Sequence, residues 1–150
     1  MNEADKQRTA DLLRKNRRKG LVPGIVHKWA TRGVSASPLS DERQHELLTQ
    51  LRTWGHSEYR PITDFRSVIL EFLDDLSVVV VIDFDVNEEP ALLVPPRSLS
   101  ASEKDLRAVY PDGFVLIRDE AALSIDFEEE VGRVNVSYAA AGGFPPPTGK

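Results

Sequence analysis

The 150-residue chain contains no cysteine, which excludes disulfides, thiolate metal sites and cysteine nucleophiles and suits a reducing compartment. It has no run of 18 apolar residues, so no membrane-spanning helix is expected. No secretory leader pattern opens it either, since the first apolar pair, Leu12-Leu13, lies inside a charged stretch. The expected location is the cytoplasm. The catalytic signatures that local sequence can carry are also missing: there is no Gly-x-Ser-x-Gly elbow, no P-loop and no Gly-x-Gly-x-x-Gly. The three histidines, His27, His45 and His56, fall in separate segments without metal-ligand spacing and read as surface or capping residues. No cofactor, metal ligand or catalytic residue is expected.

What the chain does have is an uneven charge distribution. The net charge of −5 conceals a basic front and an acidic remainder. Residues 1–34 carry nine Lys/Arg against three acids, a net of +6, and residues 35–150 carry a net of −11. A basic arm (1–34), an α+β domain (35–138) and a Pro/Gly-rich, disordered tail (139–150) are the expected divisions.

Hydrophobic spacing outlines the domain. Residues 3–19 read as a basic helix stopped by Gly20, and Pro23 opens a short second helix ended by Gly33. Residues 40–55 form a helix capped by Ser40, with Leu47, Leu48, Leu51 and Trp54 on one face. Phe65, Val68, Ile69, Phe72, Leu73 and Leu76 recur at helical spacing, so 64–76 is a helix capped by Thr63, antiparallel to 40–55; a 65–73 strand is the alternative. The β-branched run Val78–Ile82 suits burial on both faces and lies within a first strand expected over 77–84. Further strands are expected at 91–94, 114–118, 123–127 and 133–138. A helix at 101–109 opens on the capping-box pattern Ser100-Ala101-Ser102-Glu103. The fold class is therefore α+β: two main helices and a basic N-terminal helix on a mostly antiparallel sheet of about five strands.

Asp83-x-Asp85 at the end of the hydrophobic strand resembles the first motif of haloacid-dehalogenase-type phosphatases, in which one aspartate attacks a phosphoryl group and the next acts as acid/base. Val86-Asn87 replaces the Gly-Thr of that pattern, and no later strand ends in an acidic pair, so phosphoryl chemistry is disfavoured. Asp83, Asp85 and Asn87 also match the first ligands of a calcium loop. Glu88 stands where that loop needs glycine, and Val94 where it needs a bidentate glutamate.

Function is then sought in the charges. The leading expectation is a non-enzymatic protein-binding module whose acidic face engages a basic partner through Asp119, Glu120, Asp126, Glu128, Glu129 and Glu130, gathered at one end of the final hairpins. A bacterial immunity or antitoxin-like inhibitor of a toxin domain is its concrete form, by analogy of size and charge. The alternative is a nucleic-acid-associated or assembly protein. In that reading Arg14, Lys15, Arg17, Arg18, Lys19, Lys28 and Arg32 contact phosphates and Trp29 stacks on a base. A basic segment lying on the acidic body of its own chain explains the same cluster without any partner.

Overall fold

The computed structural model describes residues 2–74, 77–85, 89–100 and 102–141. Helix α1 (Glu3–Ala30) leads into strand β1 (Ser37–Pro38) and helix α2 (Asp41–Leu51). Short strands β2 (Gly55–His56) and β3 (Arg60–Ile62) precede helix α3 (Phe65–Leu73). Strands β4 (Val79–Asp83) and β5 (Leu92–Val94) follow, then a 3₁₀ turn (Pro96–Ser100) and helix α4 (Glu103–Val109). Strands β6 (Gly113–Arg118), β7 (Ala121–Phe127) and β8 (Val134–Ala140) complete the fold.

The class is α+β as expected, with an antiparallel sheet of eight strands among the described residues rather than about five, in the order β1-β5-β4-β6-β7-β8-β2 with β3 also on β8. The three additional strands are two or three residues long, too short to show a period-2 pattern. Pro38 and Pro61 lie in β1 and β3, at the sheet margins where a missing N–H is tolerated.

Side-chain alternation gives the sheet two buried faces. Val79, Val81, Leu92, Phe114, Leu116, Leu123 and Ile125 pack under α3, α4 and the end of α1. Ile82, Val115, Ile117, Ala122 and Ala139 pack under α2 through Leu47, Leu48, Leu51 and Trp54. The expected burial of the valine run on both faces is thus observed, with Val78 left exposed before the strand begins. The 65–73 segment is a helix, but α2 and α3 are not an antiparallel pair. The connector between them pairs with β8 through β2 and β3, which carries the chain across the sheet edge to the opposite face.

Caps fall close to their expected places. Ser40 accepts from the Arg43 N–H at 3.1 Å as foreseen. Asp64, not Thr63, caps α3 by accepting from the Ser67 N–H at 3.1 Å. For α4 the pair is shifted two residues: Ser102 Oγ accepts from the Asp105 N–H and donates to Asp105 Oδ2, while Ser100 closes the 3₁₀ turn. β8 extends to Ala140, into the segment read as a tail, whose remainder from 142 lies outside the described residues.

The largest departure is α1. It runs unbroken through Gly20 and Pro23 for 28 residues, about 42 Å. Proline removes the hydrogen bond to the Lys19 carbonyl, but Lys19, Gly20, Leu21, Pro23 and Gly24 are all exposed, so water can satisfy that group. Asp11, Arg14, Arg18, Val22, Ile25 and Trp29 form the stripe turned to the body. Gly33, with φ of +75°, ends the helix as expected. The Val34 N–H bonds back to the Trp29 carbonyl and the Gly33 N–H to that of Ala30, the paired bonds of a Schellman turn.

Candidate functional site

Register brings together acids that are far apart in sequence. Asp126 on β7 stands opposite Gly113 on β6 and Asn135 on β8, close to one end of the sheet. Asp112 immediately precedes β6, and the Phe84 N–H bonds to the Gly113 carbonyl at 3.1 Å, which sets the end of β4 in the same row. Gly113 has φ of +124°, and a Cβ there would sit 2.0 Å from the Ile125 carbonyl oxygen. Only glycine fits, so the face between Phe84 and Asp126 carries no side chain at that point.

The carboxylates in this row feel one another. Burial raises the Asp126 pKa above its ordinary value, with Glu128 and then Asp112 adding repulsion against the opposing hydrogen bond from Asn135. Burial likewise raises that of Asp83, and Asp112 and Asp85 add to it while the Asp85 N–H and Lys28 oppose. Asp112 acts on both, but strand alternation turns Asp83 to the α1 and α4 side of the sheet and Asp126 to the α2 side, so the acidic rim beside Phe84 consists of the β6 entry turn and the β7 exit.

The turn after β7 is held rather than loose. Arg107 of α4 pairs with Glu103 at 2.7 Å, lies 4.5 Å over the Phe127 ring, and donates to the carbonyls of Glu128, Glu130 and Arg133. The Glu103 carboxylate also accepts from the Gly132 N–H at 2.8 Å. Within this clamped turn Glu128 accepts from Asn135 at 2.7 Å, and Glu130 pairs with Arg133 at 3.0 Å. Glu129 has no partner among the described residues.

An aromatic pair adjoins the rim. α2 packs over the part of its sheet face lined by Ile82, Val115, Ile117, Ala122 and Ala139. Over the remainder lies Tyr59, 48% exposed, tilted against Phe84 with ring centroids 6.0 Å apart. Burial raises the Tyr59 pKa, with a hydrogen bond to Ser124 opposing and the Asp126 charge adding to the shift. Ser124 and Asp126 point to this same face, because they alternate with buried Leu123, Ile125 and Phe127. Tyr59, Phe84, Asp112 and Asn135 were not singled out from sequence: each is ordinary in its own segment and gains meaning only from register.

Not all expected acids are here. Asp119 and Glu120 form the turn at the other end of β7, roughly 20 Å away along seven residues of strand. Asp119 adopts φ of +41°, a left-handed turn conformation that Asp tolerates better than most residues, and its carboxylate lies 3.4 Å from Arg118. These two are turn residues, and the expectation that all six acids collect at one end is corrected to Asp126, Glu128, Glu129 and Glu130.

The basic set is also divided. Trp29 is 1% exposed in the main core, where its Nε1 donates to the Tyr110 hydroxyl at 3.3 Å, so it is not a stacking platform. It also joins the end of the arm to the domain, moving the expected division at residue 34 back along α1. Arg14 and Lys15 face Asp41 at 3.9 and 3.7 Å. Arg18 donates to the Leu39 carbonyl and, at 2.6 Å, to Gln44 Oε1. These three cations lie on the chain's own body. Arg17 has an intramolecular partner as well, Lys19 and Lys28 are exposed, and Arg32 donates to the Lys28 carbonyl at 3.0 Å.

Asp83 is half-buried, and its Oδ1 accepts from the Asp85 N–H at 3.0 Å, a local turn bond. Among the described residues no group of three or more His, Asp or Glu is arranged to hold a metal ion, and no helix is long and apolar enough to cross a membrane. No protein-family model matches the chain, and no curated protein matches it.

Proposed function

We propose that the protein is a non-enzymatic binding module that engages a basic protein partner at the rim formed by Asp112, Asp126, Glu128 and Glu129 beside Tyr59 and Phe84. An inhibitor of the immunity or antitoxin type, acting on a toxin domain in the cytoplasm, is the concrete form of this reading. The observation that supports it most is the convergence of two separated acidic segments, Asp112 and residues 126–130, next to a half-exposed aromatic pair.

The chemistry suits a Lys- or Arg-rich surface. Clustered carboxylates steer a cationic partner and set its orientation, whereas exposed ion pairs add little affinity individually. Tyrosine and its aromatic neighbour offer a rigid contact area at low entropic cost, the composition typical of binding hot spots. Burial first, and then repulsion from Glu128 and Asp112, raise the Asp126 pKa; a docked cation offsets that repulsion and favours the charged form, so binding should weaken as pH falls through the carboxylate range. Titrating isotope-labelled protein with a Lys/Arg-rich peptide should move the amide resonances of residues 59, 84, 112–113 and 124–128 and leave 119–121 in place. Uniform small shifts along all acidic segments would refute the reading.

A further inference from the structure

A separate cleft of about 630 Å³ lies between the end of α1 and the 3₁₀ turn, within the roughly 300–1,000 Å³ usual for small-molecule sites. Its accessible apolar lining comes from Val34 and Pro95, with Trp29 and Leu106 buried behind them, and its polar lining includes Arg32, Arg97 and Asp105. The two arginines come from different elements, one following α1 and one on the 3₁₀ turn. Arg32 spends only Nη1 on the Lys28 carbonyl and Thr31 hydroxyl, and Nε and Nη2 have no partner among the described residues. The Arg97 guanidinium has no hydrogen bond or ion pair among the described residues. Two guanidinium groups with donors to spare, in a protein of net charge −5, line the same cavity.

We propose that this cleft binds a small organic anion, a carboxylate or phosphate ester, with the charged group between Arg32 and Arg97 and an apolar body against Val34 and Pro95. Guanidinium groups suit such a group because their planar N–H donors match carboxylate and phosphate oxygens in bidentate geometry. Asp105, already fixed by Ser102 at 2.9 Å, restricts the ligand to one charged end. The site is independent of the acidic rim and uses none of its residues.

The test is calorimetric titration of the full chain with phenyl phosphate, benzoate and inorganic phosphate, repeated on Arg32→Gln and Arg97→Gln. Both positions are exposed, and unchanged melting temperatures confirm that the variants fold. One phenyl phosphate or benzoate should bind per chain, more tightly than inorganic phosphate, and each substitution should weaken binding about tenfold. Absence of binding by any probe at millimolar concentration would overturn the assignment. Equal affinity in the wild type and both variants, or no preference for the organic anions over inorganic phosphate, would also overturn it.

Discussion

Gln44 shows how one side chain fixes three parts of the molecule. Only 5% exposed, it accepts from Arg18 Nε at 2.6 Å and the Ala91 N–H at 2.9 Å through Oε1, and donates to the Glu89 carbonyl at 2.7 Å. It thereby ties α1 and the entry to β5 to α2. Replacing Gln44 by Ala leaves these groups unpaired and should cost about 2 kcal/mol in denaturant unfolding. Two strand-end carboxylates should behave in the opposite sense. For Asp83 and Asp126 the folded-state pKa is raised, so the folded form favours the proton. Their contribution to stability is full below the unfolded-state pKa and is lost as pH rises through the higher folded value. At neutral pH, Asp126→Asn should therefore raise the melting temperature, and Asp83→Asn, which keeps the turn acceptor, should do the same. Both gains should vanish below about pH 4, where the carboxylates of the wild type are protonated too.

At the scale of elements, the sequence was most informative where many residues voted together. The 65–73 helix follows from apolar positions at helical spacing, the valine strand from an unbroken β-branched run, and the last C-terminal strand from clear alternation. The two-residue strands at 37–38 and 55–56 give no period, and their pairing depends on a partner strand distant in sequence. Gly20 and Pro23 are breakers that predict two helices, yet tertiary contacts from Ile25, Val26 and Trp29 carry α1 through them. This makes truncation a sharp probe. Residues 2–10 are all exposed, so deleting residues 1–10 should leave the melting temperature nearly unchanged. Deleting residues 1–34 removes Trp29, whose loss alone is worth roughly 3–5 kcal/mol, and should abolish cooperative unfolding. Restoring the backbone bond with Pro23→Ala should stabilise the helix by about 1 kcal/mol or more, measured by thermal unfolding.

For the whole molecule, the basic front and acidic remainder legible in composition are partly one internal contact: Arg14, Lys15 and Arg18 dock on the start of α2. The acidic candidates were half legible. Glu128, Glu129 and Glu130 stand out as a run, but their association with Asp126 and Asp112, and the exclusion of Asp119 and Glu120, depend on strand register that no local pattern encodes. Tyr59 and Phe84 were invisible for the same reason.

That separation also supplies the control for the proposal that a basic partner docks at the Asp126 end of the sheet. Two variants remove equal charge from its opposite ends: Asp126→Asn with Glu128→Gln, and Asp119→Asn with Glu120→Gln. Affinity for one Lys/Arg-rich peptide, measured calorimetrically at physiological salt, should fall several-fold for the first pair and stay within error for the second. Equal losses for the two pairs would show that only net charge matters and would contradict the claim.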